Sequence, residues 1–386
     1  MPLSRIVIFL TVMFGITGSL HYYLWARLVR DPALPSPWNT IATVAIATLA
    51  ILMPLGMLFT RFAPRSVSSP ISWVVFTWMG AAFFLVVLLA PADLVRTVWS
   101  WVQGGAMDPA KRQFLARAVG TTVGFGAFGI AGTALFSALR PVAVKRVDVS
   151  LPKLPESMNG FSIVQLTDIH VGPTIGKEFV DDMVARTNAL EPDVIAITGD
   201  LVDGSVGDLA HLTEGLRRLR ARHGVYFVTG NHEYYSGADE WIEHLRSLGI
   251  RVLRNERVSI GGEGDGFDLA GVDDYHAHQF GNGHGMTFDR ITHGRDESRA
   301  LVLLAHQPKA IEHGEPHGVD LQLSGHTHGG QMYPFNYLVK LQQPYVAGLY
   351  RHGRAQVYVS RGTGYWGPPM RLAAPAEITH IRLVRA

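Results

Sequence analysis

Ser162-Ile163-Val164-Gln165-Leu166-Thr167-Asp168-Ile169-His170 is a short apolar run that passes directly into a carboxylate and an imidazole. The arrangement recurs. Residues 194–198 run into Gly199-Asp200, 225–229 into Gly230-Asn231-His232-Glu233, 301–305 into His306, and 321–324 into Gly325-His326-Thr327-His328. Short apolar runs bounded by glycine and polar residues read as strands, and further strands are expected at 267–270 and 357–360. Helices fit 177–190, 208–222 and 238–248, where apolar residues recur at three- and four-residue spacing. This is an α/β layout. In such sheets ligands bind beyond the carboxyl ends of the strands, so the polar groups are expected to meet in one crevice. A Gly- and His-rich tract at 261–298 (Gly261, Gly262, Gly264, Gly266, His276, His278, His284) reads as loops, and no internal repeat is present.

Upstream the chain changes character. It has 386 residues, 47% hydrophobic and 17% charged, with a mean hydropathy of +0.15. Residues 1–146 carry 12 Lys and Arg against 3 Asp and Glu, whereas the remainder carries 22 against 29. The first part reads as membrane-embedded with basic flanks. The second part is net acidic, which argues against a nucleic-acid partner. With no cysteine, disulfides, thiolate metal sites and cysteine nucleophiles are excluded.

Apolar stretches at 6–24, 40–60, 71–90 and 118–139 each approach the roughly 20 residues a helix needs to cross a bilayer. Four spanning helices are expected. Tyr22, Tyr23 and Trp25, followed by Arg27 and Arg30, read as an interfacial anchor, so the first stretch is retained rather than cleaved. Pro32, Pro35 and Pro37 mark the first loop, and Pro64 and Pro70 the second. Gly120, Gly124, Gly126, Gly129 and Gly132 suggest close helix packing in the fourth. With no Asp, Glu or Lys in mid-span, this half reads as an anchor.

An even number of spans places the N-terminus and the C-terminal domain on one side. Basic residues tie at six per side: Arg5, Arg61, Arg65, Arg140, Lys145 and Arg146 against Arg27, Arg30, Arg96, Lys111, Arg112 and Arg117. The compact 140–146 cluster next to a span favours a cytoplasmic domain.

Asp-x-His, Gly-Asp, Gly-Asn-His-Glu, a single His and Gly-His-x-His, in that order, resemble the calcineurin-like metallophosphoesterases. The resemblance spans roughly residues 145–386. Within the family, the block from Ser324 to Gln331 looks most like small bacterial membrane-associated phosphoesterases. Arg361-Gly362-Thr363-Gly364, Pro369-Met370-Arg371 and Pro375-Ala376-Glu377-Ile378 are similar to that branch's closing strands. The implied architecture is α/β: a metallophosphoesterase-type β-sandwich flanked by helices (141–386), preceded by a four-helix transmembrane anchor (1–140), in a bacterial cell membrane.

Carboxylate and imidazole ligands without thiolate suit Mn²⁺, Fe or Zn²⁺. A pair of such ions about 3.5–4 Å apart serves displacement at phosphorus. The resemblance implies that Asp168, His170 and His328 hold one divalent ion, that Asn231, His306 and His326 hold a second, and that Asp200 bridges them. It also implies His232 as a non-ligand that protonates the leaving oxygen, with a metal-bridging hydroxide as nucleophile. Alternation in Asp168-x-His170 and His326-x-His328 places each pair on one side of an extended segment. Gly199, Gly230 and Gly325 fit tight turns, and Glu233 reads as an orienting or capping group.

Singly, Asp200 reads as a helix cap, Asn231 as a turn residue and His306 as a core histidine. Five blocks in order read as a site. Asp273, Asp274, His276 and His278 read as a solvated loop, with an extra polar cluster as the alternative. His284, His293, His313 and His317 read as surface residues. Arg351, Arg361 and Arg371 are candidates for a substrate phosphate. The aromatic segment Tyr333 to Leu338 with Tyr365 and Trp366 reads as core packing, with a membrane or acyl-chain contact as the alternative.

The function expected is hydrolysis of a phosphodiester or pyrophosphate bond in a lipid-linked or envelope substrate by a membrane-anchored dinuclear-metal phosphoesterase. Two alternatives stand beside it: a phosphatase or nuclease acting on a soluble substrate, and a catalytically silent membrane sensor or transporter. The expected partners are the lipid bilayer and a phosphoester substrate. Oligomeric state is left open.

Overall fold

This computed structural model describes residues 3–59, 63–103, 108–262, 264–281 and 283–386, with backbone alone at 3–6, 9 and 103. Thr60 and Arg61 of the sequence reading lie outside the described residues, as do the side chains of Arg5 and Ile6. Two units are present, Met1–Phe136 with Gly367–Met370, and Ser137–Trp366 with Arg371–Ala386.

The first unit is built from α1 (Leu3–Trp25), α2 (Trp38–Phe59), α3 (Arg65–Gln103) and α4 (Pro109–Leu139). Among the described residues three helices are long and apolar enough to cross a membrane: Trp38–Phe59, Arg65–Val102 and Pro109–Leu139. Three of the four expected spans are therefore seen among the described residues. The expected first span does form one helix, α1, but several of its side chains lie outside the described residues. Val75, Phe84, Leu85 and Leu89 are buried, while Val44, Ile51, Phe125, Phe128 and Phe136 are exposed. A helix apolar on all sides suits a hydrocarbon surround.

Two expectations are corrected here. Pro70 does not break a helix; it lies in the second turn of α3, and Pro91 lies further along the same helix. Close packing along the α4 glycines holds only in part. A Cβ on Gly120 would meet the Arg27 carbonyl at 3.5 Å and one on Gly126 would meet Leu88 at 3.7 Å, but Gly124, Gly129 and Gly132 face open space.

The second unit holds two six-stranded sheets. Its strands are β1 (Ala143–Leu151), β2 (Ser162–Leu166), β3 (Val194–Thr198), β4 (Val225–Val228), β5 (Arg251–Val252), β6 (Glu256–Gly262), β7 (Asp265–Gly271), β8 (Leu301–Leu304), β9 (Leu321–Ser324), β10 (Gly348–His352), β11 (Ala355–Val359) and β12 (Glu377–Arg385). One sheet has the order β1-β12-β2-β3-β4-β5 and the other β10-β11-β9-β8-β7-β6. The chemistry-bearing strands β2, β3 and β4 are parallel neighbours, as are β8 and β9, so their carboxyl ends open the same way within each sheet.

Period-two alternation explains the layers. Val194 and Ala196 of β3 face the inter-sheet core with Leu269, Val302, Leu304, Leu321 and Leu323, while Ile195 and Ile197 face helices. Those helices are α5 (Lys177–Asn188), α6 (Val206–Thr213) and α8 (Ala238–Ser247), which bury Val180, Met183, Leu209, Trp241 and Leu245. A strand buried on both faces needs the unbroken apolar run seen in the sequence. The 261–298 tract differs from the loop expectation, because Gly261, Gly262 and Gly266 sit in the β6–β7 hairpin. There Gly261 pairs with Gly266, and a Cβ on Gly266 would strike the Ile260 carbonyl.

Candidate metal centre

Every block named above ends at the same crevice. Asp168 and His170 follow β2, Asp200 follows β3, Asn231 and His232 open α7 (Asn231–Ser236) after β4, His306 follows β8, and His326 and His328 follow β9. Beneath them Gln165 ties the sheets together, its Nε2 donating to Thr198 Oγ1 at 2.8 Å and to the Ser324 carbonyl at 3.0 Å.

The pairs do not lie on extended segments. Asp168, His170, Asp200, His326 and His328 all have positive φ, between 50° and 69°. Non-glycine residues rarely adopt this conformation, and it persists only where the surroundings enforce it. Backbone bonds supply that enforcement: Asp168 N donates to the Gly199 carbonyl at 3.0 Å, His170 N to the Asp200 carbonyl at 3.1 Å, and His326 N to Asp168 Oδ1 at 2.8 Å. A Cβ on Gly325 would collide with Asp168 Oδ2, and one on Gly230 with Asp200 Oδ1. Only glycine admits these approaches.

Three sets of donors converge within 4.8 Å of one another: Asp168, His170 and His328; Asp200, His306 and His326; and His170, Asp200 and His232. His170 Nε2 and His328 Nε2 are 3.1 Å apart, and His326 Nδ1 and His306 Nε2 are 3.2 Å apart. Asp200 Oδ2 lies 3.1 Å from His306 Nε2 and 3.9 Å from His170 Nε2. Asn231 Oδ1 is buried and no hydrogen-bond donor reaches it among the described residues. A cation satisfies such an oxygen, so the donor set fits divalent metal ions.

Other bonds fix which nitrogen is presented. His306 Nδ1 faces the Thr198 carbonyl at 2.8 Å and His170 Nδ1 faces Asp203 Oδ1 at 3.0 Å, leaving Nε2 of each toward the site. Asp203 is the residue the sequence reading missed. The same Oδ1 lies 2.6 Å from His232 Nδ1. Its one sequence signal is position, the second acid of Gly199-Asp200-Leu201-Val202-Asp203. Glu233 orients, as expected: it accepts from Gly230 N at 2.6 Å, Leu201 N at 2.7 Å and Asp200 N at 3.0 Å.

The electrostatics favour positive charge at this point. Burial raises Asp200, but His306 and His232 override it and hold the carboxyl well below its ordinary value. Burial lowers His232 and His306, yet chiefly through Asp200 they stand raised, at about 9 and about 10. Burial and the His306 charge push His326 down to about 3, and burial with His170 depresses His328, so both present lone pairs.

Other candidates resolve differently. Asp273 and Asp274 are buried, not solvated. Asp273 takes Arg254 Nε at 2.9 Å and Nη2 at 2.6 Å, and Asp274 takes Gln307 Nε2 at 3.0 Å. His284 is packed against Arg254 Nη2 at 2.7 Å rather than lying on the surface. The three arginines serve the chain itself. Arg371 is buried and donates to the Gly364 carbonyl at 2.9 Å and the Ala374 carbonyl at 2.8 Å; Arg361 pairs with Glu377 at 3.1 Å; Arg351 donates to the Gly353 carbonyl at 3.3 Å. The aromatic segment is not core. Tyr333, Phe335, Tyr337, Leu338 and Trp366 are exposed and only Tyr365 is buried, while the Trp366 ring stands edge-on to His232 with centroids 5.7 Å apart.

A two-sheet sandwich with these donors at its strand ends defines a metallophosphoesterase domain. Residues 161–330 match the calcineurin-like phosphoesterase family. A bovine transmembrane protein with metallophosphoesterase domain is 36% identical over 94% of this chain and 86% of its own length. A Campylobacter jejuni metallophosphoesterase is 31% identical over 98% of both chains. A Helicobacter pylori metallophosphoesterase is 44% identical over 62% of this chain and 64% of its own. The chain belongs to the calcineurin-like metallophosphoesterase family.

Proposed function

We propose that this protein is a membrane-anchored phosphoesterase that uses two divalent ions to hydrolyse a phosphodiester or pyrophosphate bond in a lipid-linked substrate. The observation that carries the reading is Asp200, whose Oδ2 faces His306 at 3.1 Å and His170 at 3.9 Å and so addresses both donor groups. Asp168, His170 and His328 would hold one ion, and Asn231, His306 and His326 the other. Bound there, the ions would acidify a water molecule and withdraw charge from the phosphoryl oxygens.

The chain's own groups do the rest. His232 carries a proton at neutral pH, because Asp200 and Asp203 raise it to about 9, and it can deliver that proton from Nε2 to a departing oxygen. Asp203 at Nδ1 fixes the ring's orientation. Exposed Trp366 beside His232, and Tyr333, Phe335, Tyr337 and Leu338 in the same unit, provide apolar surface for the hydrocarbon of a lipid-linked substrate. Glycine turns bring the backbone against Asp168 and Asp200, which would hold both carboxylates in place for the ions.

The test is hydrolysis by detergent-purified full-length protein, stripped and refilled with Mn²⁺ or Zn²⁺, on a chromogenic phosphodiester, its monoester and a lipid-linked diphosphate. Turnover should require metal, favour the lipid-linked substrate, and vanish in a folded Asp200→Ala variant. An unchanged rate in that variant would sink the assignment. Equal rates on soluble and lipid-linked substrates would instead make the helical unit a tether.

A further inference from the structure

The sequence reading gave the helical unit no task beyond anchoring, yet its interior is charged at one end. A cavity of about 260 Å³ lies between the segment after α1, α3 and α4, and its polar lining is Arg27, Asp31, Asp93, Arg96 and Arg112. Asp93 projects from within α3. There it accepts from Tyr23 Oη at 2.7 Å and Arg27 Nε at 2.8 Å, and Arg27 Nη1 also meets Asp31 at 2.5 Å.

Asp31 also takes Arg30 Nη2 at 2.9 Å, so the two acids are committed to Arg27 and Arg30. Arg96 reaches Asp93 only at 3.3 Å, and Arg112 makes no ion pair among the described residues. Three arginines and two aspartates line the cavity, and Arg30 outside the lining also pairs with Asp31, so positive charge is in excess at the cavity wall. Basic residues flanking spanning helices stand at the level of the lipid headgroups. The remaining wall is apolar: Leu89, Val95, Leu115 and Val119, with Trp99. Basic pockets between spanning helices suit anionic headgroups, and an apolar wall suits the first methylenes of a chain. The volume is just below the about 300 Å³ at which pockets begin to enclose whole small molecules, so it takes a headgroup rather than an entire lipid.

We propose that this cavity binds the singly charged phosphodiester of an anionic phospholipid, with Arg112 and Arg96 on the phosphate and the acyl chains leaving along Val95 and Trp99. A guanidinium pair matches phosphate oxygens in geometry as well as in charge. The excess positive charge balances a phosphodiester and leaves Arg27 and Arg30 to hold Asp31 and Asp93. This site is independent of the phosphoesterase reading.

The experiment uses the detergent-purified full-length protein and reads lipid retention by native mass spectrometry and thermal unfolding, with phosphatidylglycerol, phosphatidylcholine and inorganic phosphate as probes. Phosphatidylglycerol should be retained at least about tenfold more tightly than phosphatidylcholine, with inorganic phosphate giving no shift. Arg112→Gln, which breaks no ion pair, should bring the two lipids within about twofold while leaving the lipid-free melting temperature unchanged. Ala116→Phe, which fills the cavity without touching charge, should do the same. Equal retention of both lipids by the unaltered protein, a phosphate shift as large as that with phosphatidylglycerol, or a preference that survives both substitutions would each overturn the proposal.

Discussion

One oxygen of Asp203 serves two histidines: Oδ1 lies 2.6 Å from His232 Nδ1 and 3.0 Å from His170 Nδ1. The proposed proton donor and a proposed ligand of one metal are therefore oriented by the same carboxylate. Asp203→Asn should weaken metal binding about 10- to 100-fold as well as lowering kcat, the range found when a ligand's orienting partner is removed. Titrating Mn²⁺ into the stripped protein and measuring kcat at saturating metal separates the two. A fall in kcat alone would show that His170 does not depend on Asp203.

The same relationship sets a pH dependence. His232 is raised from 6.5 to about 9, because Asp200 and Asp203 more than offset burial. Its favourable interaction with these acids is fully present below 6.5 and is lost as pH rises through about 9. As a proton donor it should give kcat a descending limb near 9, falling about tenfold per unit beyond it. In Asp203→Asn the limb should move to lower pH. A kcat flat to pH 10.5 would remove His232 from the proton-transfer step.

Gly325→Ala tests the close approach at the site. The added Cβ collides with Asp168 Oδ2 and Thr167 Oγ1, so the carboxylate must swing away. Bound metal should drop by about one ion per chain, since ligand geometry must hold to within about 0.5 Å. Elemental analysis after desalting gives the count, and full occupancy would show that the turn can relax.

Trp366→Ala should raise KM for a lipid-linked substrate by about tenfold, because aromatic contacts contribute about 0.5–1.5 kcal/mol beyond the area they bury. A short chromogenic diester should keep its KM. Parallel kinetics on the two substrates decide the point; equal changes would tie Trp366 to His232 positioning instead.

Arg371 is buried, and its guanidinium binds the Gly364 and Ala374 carbonyls and touches His328 Nδ1 at 3.3 Å. Arg371→Met should lower stability by on the order of 3 kcal/mol through orphaned carbonyls and a lost fork of donors. Arg371→Lys should rescue little, because an ammonium cannot span those acceptors. Thermal unfolding of both variants checks this.

The sequence by itself determined the strands that carry chemistry and the order of their polar ends. Residues 162–166, 194–198 and 321–324 are strands as read, because a strand buried on both faces is mainly apolar, with Gln165 and Gln322 as hydrogen-bonded exceptions, and a functional turn begins where that run stops. It also determined that the N-terminal helices are apolar on all sides. Only the tertiary structure decided the rest. The left-handed backbone at Asp168, His170, Asp200, His326 and His328 is enforced by hydrogen bonds from other loops, so no local pattern announces it. Whether Asp203 orients a histidine, whether Arg371 meets substrate or carbonyls, whether Trp366 is core or surface, and whether Asp93 pairs with Arg27 all turn on partners distant in the chain. Residue type fixes what a side chain can do; only the packing of distant segments decides which of those interactions it makes.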